Sequence, residues 1–262
     1  MNAPDTQATL EQVRALLSGF RLPTLSREMG PAFLKAGRED VLPLLADVLQ
    51  MEAKERQDRR VERLRQASHL PLGKTFDTLK LARFPRPLAT TIERLAQGEW
   101  VDSAHNVLAF GLPGVGKSHV ACALGHALVE RGYSVLFTPT FRLVQELLAA
   151  KRDLQLPRAL KRLDAFDVIL LDDIGYVQQA PEEVEVLFTL MAERYERRSL
   201  LITSNLVFSE WDRIFRNPMT TAAAIDRLIH HSVILEFNVT TFRGEHAQSA
   251  AKPSSGADRV GA

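Results

Sequence analysis

The chain has 262 residues, 45% hydrophobic and 25% charged, with a formal net charge of +1. That composition suits one sizeable globular core with a smaller accessory domain, and it holds no apolar run of the roughly 20 residues that a membrane span needs. No export signal opens "MNAPDTQATLEQ", and the single cysteine, Cys122, can form no internal disulfide, so the expected location is the cytoplasm.

Residues 1–68 are predicted to be a small all-α domain. Leu10, Val13, Leu16, Leu17 and Phe20 recur at helical spacing, "RLPT" breaks the pattern, a second helix follows to about residue 36, and a long third one starts near "REDVLPLL". Residues 69–87, opening in "SHLPLGK", read as a connector. From residue 88 to 245 short apolar strands ("NVLAF", "SVLFT", "DVILLD", "LLITS", "VILEF") alternate with amphipathic stretches. Such alternation predicts an α/β fold with a parallel five-stranded sheet and flanking helices. Residues 246–262, rich in Ala, Ser and Gly, are expected to be a disordered tail.

The first strand leads into "GLPGVGKSHV". Gly111, Leu112, Pro113, Gly114, Val115, Gly116, Lys117 and Ser118 have the G-x-x-x-x-G-K-[ST] spacing between strand and helix that marks a P-loop, with His119 the next helical residue. The glycines let backbone N–H groups surround the phosphates of ATP, Lys117 reaches the β/γ-phosphates, and the Ser118 hydroxyl holds Mg2+. The strand "DVILLDDIG" then delivers Asp172 and Asp173 at its C-terminal end, where open α/β sheets bind ligands. Asp172 takes the Mg2+ role and Asp173 polarises an attacking water, a combination that indicates NTP hydrolysis. Asn205, ending "SLLITSN", is placed either to hydrogen-bond the lytic water or as a plain strand exit.

At this point "FGLPGVGKSHVACALGHALVERGYSVLF", "DVILLDDIGYV", "ERRSLLITSNLVFSEWDRIF", "AAAIDRLIHHSVILEF" and "TTFRG" together resemble the IstB-type transposition helpers, AAA+ ATPases of the DnaC-like clade. The resemblance spans about residues 10–245. It implies a P-loop AAA+ core without a C-terminal lid domain, and an ATP-dependent homo-oligomer on double-stranded DNA that serves a transposase. A DnaC-type replicative helicase loader is the alternative within the same fold. By position, the resemblance makes Arg227 the arginine finger for a neighbouring subunit's nucleotide and Arg243 a sensor of the γ-phosphate in its own subunit. Without it, a helix-surface arginine paired with Asp226 or Glu236 is the lesser alternative for Arg227. Many AAA+ proteins have Glu where this chain has Asp173.

Residues 56–86 hold nine Lys/Arg against three Asp/Glu. At 100° per residue Arg56, Arg59, Arg60 and Arg63 fall within about a 100° arc, with Glu55, Asp58 and Glu62 beside it. This is either a phosphate rail or an exposed helix laced with pairs such as Glu52 with Arg56 and Glu55 with Arg59. Lys151, Arg152, Arg158, Lys161 and Arg162 form a second cluster between the second and third core strands, where the resembled clade carries a helical insertion along the DNA path. No aromatic interleaves that cluster, which favours backbone contacts over base stacking.

The remaining candidates carry less. His230 and His231, adjacent on a helix, diverge by about 100° and make a poor chelate. Trp100 and Trp211 read as packing anchors, Cys122 as packing under the sheet, and Phe76 as either a neighbour of the adenine or linker packing. A nucleoside kinase, which needs lid arginines and a substrate-phosphate clamp, and a non-hydrolysing DNA scaffold are the readings from other classes.

Overall fold

The computed structural model describes residues 3–176, 180–206 and 228–238. The chain divides into two compact units, Met1–Arg63 and Leu64–Ala262. The expected lack of a lid and the expected tail fall on residues 239–262, outside the described residues.

In the first unit the predicted helices form as α1 (Ala3–Gly19), α2 (Pro23–Lys35) and α3 (Leu42–Ser68). Pro23 opens α2 at a position where its missing N–H costs no helical bond. Val13, Leu17 and Ala46 are buried, with Phe20, Met29, Leu45 and Leu49 packed around them. The boundary between the units lies inside α3, so its last residues belong to the second unit.

The segment expected as a connector is built into that second unit. Leu70, Leu79 and Phe84 are buried, Leu70 packs onto Gly125, and Phe84 meets Phe237 edge-on at 5.5 Å. His126 Nε2 donates to the Pro71 carbonyl at 3.0 Å. Apolar residues at 70, 79 and 84 therefore anchor a stretch whose Pro and Gly content reads locally as linker. Helices α4 (Arg86–Leu95) and α5 (Glu99–Asp102) lead to the sheet, and Trp100 is indeed a packing anchor, its Nε1 donating to the Leu95 carbonyl at 2.9 Å.

All five predicted strands form: β1 (Asn106–Gly111), β2 (Val135–Pro139), β3 (Val168–Asp172), β4 (Ser199–Ser204) and β5 (Ser232–Phe237). They lie in the order β2-β3-β4-β1-β5, every pair parallel. Between them come α6 (Lys117–Glu130), α7 (Thr140–Arg152), α8 (Leu156–Leu163) and α9 (Pro181–Arg194). One face of the sheet, with Leu108, Ile169, Leu171 and Ile202, packs against Leu143, Leu147, Val186 and Leu190 of α7 and α9. The other carries α6, whose Cys122 is fully buried, its thiol pushed up to about 12 by desolvation and so held protonated. Burial on both faces explains why β1, β3 and β4 are nearly continuous apolar runs. Among the described residues no helix is long and apolar enough to cross a membrane.

The starts of the strands are stitched by side chains that sequence patterning does not reveal. Arg194, 2% exposed, donates to the carbonyls of Leu163, Phe166, Asp167 and Ser199 at 2.9–3.2 Å. It joins the end of α8 to the starts of β3 and β4, and burial lowers its pKa to about 10, leaving it cationic at neutral pH. Asn106 Oδ1 accepts from the Leu200 N–H at 2.9 Å, tying β1 to β4. Replacing Arg194 by Met would remove all four of these bonds, although the Leu163 and Asp167 carbonyls would still accept from the Phe166 and Ser199 N–H groups. Arg194→Met is expected to lose about 2–4 kcal/mol of stability in urea unfolding, whereas Arg197→Met, on a half-exposed side chain, stays within about 0.5 kcal/mol.

Candidate functional site

Parallel strands all end on one edge, and the predicted nucleotide residues gather there. After β1 the chain turns through Gly111–Gly116 into α6. Gly116 has φ 102°, a conformation that an L side chain adopts only with strain, and it directly precedes the first helical residue. Val115, fully buried, pins the loop from below, while Leu112 is exposed. Ser118 and His119 are half-buried in the first turn. His119 Nε2 lies 3.0 Å from Thr78 Oγ1 and 3.2 Å from the Thr75 carbonyl, which brings the segment around half-buried Phe76 against this turn.

The Lys117 ammonium turns back on its own loop, donating to the Gly111 and Leu112 carbonyls at 2.7 and 2.9 Å. Desolvation lowers its pKa, and the negative charges of Asp173 and Asp172 partly restore it. Asp173 mirrors this behaviour: desolvation raises its pKa, Asp172 raises it further, and Lys117 opposes both. The three groups thus form one electrostatically coupled set.

The hydroxyl of Thr203, in the neighbouring strand β4, holds the two carboxylates in place. It donates to Asp172 Oδ1 at 2.7 Å and accepts from the Asp173 N–H at 2.8 Å. Thr140 Oγ1 donates to the Asp172 carbonyl at 3.0 Å. Asp173 itself is left-handed, with φ 61°, a region that Asp tolerates better than most residues. Its Oδ1 is buried without a protein partner, as is Oδ1 of Asn205 just past β4. Gly175 makes room for that carboxamide: a Cβ there would run into Asn205 Oδ1 and lie 3.2 Å from its Cγ. Two orphaned acceptors, a buried cation and a loop rising into a helix N-terminus fit a nucleotide triphosphate with its metal. Nothing local in "SLLITSN" marks Thr203 as a bridge, because that role depends on β4 lying next to β3.

The basic residues are placed as follows. Arg56, Arg59, Arg60 and Arg63 line one groove of about 1120 Å³ between α1 and α3, where Arg56 stacks over Phe20 at 4.3 Å. The pairs weighed from sequence also form, Arg56–Glu52 and Arg59–Glu55 both at 2.5 Å. Lys151 and Arg152 end α7, and Lys151 pairs with Glu185 at 2.6 Å. Arg158, Lys161 and Arg162 are exposed on α8, whose Ala159 is buried. Arg227, Arg243 and Trp211 lie outside the described residues.

Residues 34–250 match the family described as IstB-like ATP binding protein. An insertion-sequence ATP-binding protein of Sinorhizobium fredii is 42% identical over 250 residues, covering 93% of this chain and 84% of that protein. The ATP-binding protein of insertion sequence IS21 in Pseudomonas aeruginosa is 34% identical, covering 92% of each chain. Among solved structures, the DnaC helicase loader shares the fold with a TM-score of 0.52 at 19% identity, over 64% of this chain and 98% of that one. AMPPCP-bound DnaA from Aquifex aeolicus gives 0.56 at 16% identity, over 70% and 56%.

Thr203→Val keeps the side-chain volume and removes both hydrogen bonds of the bridge. It is expected to cost about 1–3 kcal/mol in urea unfolding, because the Asp173 N–H and Asp172 Oδ1 each lose a partner. The paired substitution Thr140→Val in the same assay probes the outer bond alone and is expected to cost less.

Proposed function

The chain belongs to the IstB-like ATP-binding proteins of insertion sequences, and from that premise we propose that it is an ATPase that oligomerises on duplex DNA for a transposase. The observation that carries the catalytic part is the Thr203 bridge, which holds Asp172 and Asp173 on the edge where Lys117 ends the P-loop. Mg2+ bound with ATP would supply charge neutralisation at the phosphates, held by Ser118 and Asp172. The backbone N–H groups of residues 114–118 cradle the phosphates, and Lys117 exchanges its two loop carbonyls for phosphate oxygens. Asp173, desolvated and without a partner at Oδ1, orients and deprotonates the lytic water, and Asn205 positions it.

Arg227 completes the site from the next subunit, and Arg243 reads the γ-phosphate within its own. His119 borders the nucleotide through its backbone, its ring being engaged by Thr75 and Thr78. DNA is held through phosphate contacts by Arg56, Arg59, Arg60 and Arg63 and by Lys151, Arg152, Arg158, Lys161 and Arg162. Hydrolysis releases the DNA. A helicase-loader role shares the fold, but relatives at 42% and 34% identity carry insertion-sequence names, which favours the transposition reading.

Asp173 must be deprotonated to act as a base, and burial together with the charge of Asp172 holds its folded pKa above the ordinary aspartate value. The rate therefore rises with pH through that elevated pKa, and the acid limb of kcat/KM is expected above the ordinary aspartate range. Asp173→Asn should abolish the limb and cut kcat by about 100-fold or more while ATP still binds.

The shared site is tested by mixing subunits. Lys117→Ala and Arg227→Ala proteins are each expected to be inactive, and their mixture on duplex DNA to regain ATPase activity, since some interfaces then hold both native residues. Full activity of Arg227→Ala alone, or DNA affinity and oligomeric state that do not respond to ATP, counts against the proposal.

A further inference from the structure

The opposite edge of the sheet, where the strands begin, carries a second cluster of chemistry. Asn106 sits at the start of β1, and its main-chain N–H donates to the His231 carbonyl at 2.7 Å. Its side chain accepts from Leu200 and donates to the Leu228 carbonyl at 3.5 Å. The turn carrying His230 and His231 is thus fixed to β1 just before β5. Another turn, carrying Glu196, lies between α9 and β4. It is fixed on one side by Arg194 with its four carbonyl bonds and on the other by Arg198, whose Nη1 donates to Asp167 Oδ1 at 2.5 Å.

Adjacent histidines diverge on a continuous helix, but here the helical residues stop at Ile229 and the pair occupies the turn that follows. The rings consequently converge, with centroids 4.2 Å apart. His231 also stacks flat on His105, at 5.3 Å and 1° between planes, which fixes the orientation of its ring. Its Nε2 lies 3.6 Å from Glu196 Oε1, too long for a hydrogen bond. One ligand atom from each of Glu196, His230 and His231 falls within 4.8 Å of the other two. Four-coordinate zinc, with bonds of about 2.0–2.2 Å, spaces its donors about 3.3–3.6 Å apart. Glu196 and His230 are exposed and have room to close onto an ion.

We propose that Glu196, His230 and His231 form a divalent transition-metal site, of the kind that takes Zn2+, on backbone turns fixed by Asn106, Arg194 and Arg198. Two imidazole nitrogens and one carboxylate oxygen are a donor set that such metals prefer over Mg2+ or Ca2+. The fourth position stays open to water or an added ligand. A bound ion would link the start of β4 to the start of β5 across β1, stapling the edge of the sheet remote from the P-loop.

The test uses the full chain without a histidine tag, stripped of metal with EDTA. Zn2+ is titrated in competition with a chromophoric chelator, and thermal unfolding is followed with and without Zn2+. The expected result is one equivalent bound at micromolar or lower concentration, with a raised unfolding temperature. Glu196→Gln, His230→Ala and His231→Ala should each weaken binding by about tenfold or more, and His69→Ala should not. Circular dichroism of each variant without metal checks the fold. Zinc binding of equal strength in the three variants, or none below about 100 μM, overturns the proposal.

Discussion

The site depends on one constraint: β4 lies between the strand that ends in the P-loop and the strand that ends in the aspartates. In a parallel sheet the register fixes depth as well as neighbourhood. Leu171 is level with Ile202, and Ala109 with Thr203, so the side chain that follows Leu171 meets Thr203 at a height two residues before Gly111 of the P-loop strand. A hydroxyl at 203 can donate to a carboxylate and accept from an N–H at once, which is what binding Asp172 and Asp173 together requires. A one-residue slip between β3 and β4 would exchange the side chains presented to the two covered faces, upsetting their packing, and break the bridge in the same movement. The register that buries the core is therefore also the one that assembles the chemistry.

The charges gathered there constrain one another. Lys117 is 8% exposed, and its ammonium is tolerated because two carbonyls accept from it and two carboxylates lie near. Without the aspartates, burial would drive Lys117 further towards its neutral form. Without Lys117, Asp173 would rise further towards its protonated one. Each group is kept charged by a partner that itself pays a desolvation cost, so the set is sensitive to any change in net charge. Two carboxylates against one ammonium leave an excess of one negative charge, which suits the divalent cation proposed to accompany the nucleotide.

Much of this was legible in the sequence, for definite reasons. The five strands are apolar runs bounded by turn residues because both faces of the sheet are covered. The P-loop was readable because glycine spacing, lysine and strand-to-helix context coincide within eight residues. What could not be read depends on which strands are neighbours. Thr203 is an ordinary strand threonine until β3 lies beside it, Asn106 until β4 does, and Arg194 is one of several arginines in "ERYERRS" until four carbonyls converge on it. The expected divergence of the histidine pair rests on a continuous helix through residues 230 and 231, whereas the helical residues stop at Ile229. Residues 69–87 looked like a connector because prolines and glycines dominate a local reading, while the leucines and the phenylalanine that anchor them are widely spaced.

Both edges of the sheet carry strained groups, but the bonds that tie one strand to the next gather where the strands begin. At the ends of the strands the chain holds a left-handed aspartate and two buried oxygens without protein partners, each unfavourable by about 1–3 kcal/mol when it stands alone. At the beginnings of the strands side chains bond from strand to strand, Asn106 joining β1 to β4 and Arg194 joining β3 to β4, although Arg194 Nε and Ser199 Oγ are themselves buried without a partner. Asp167, just before β3, accepts from the N–H and hydroxyl of Ser134 before β2 at 2.9 and 2.8 Å. These bonds fix the relative heights of the strands, and in rigid strands of five or six residues a height fixed at one end is fixed at the other. The loops at the working edge can therefore hold unpaired and left-handed groups, because the restraint that keeps them in place acts from the far end of the same strands.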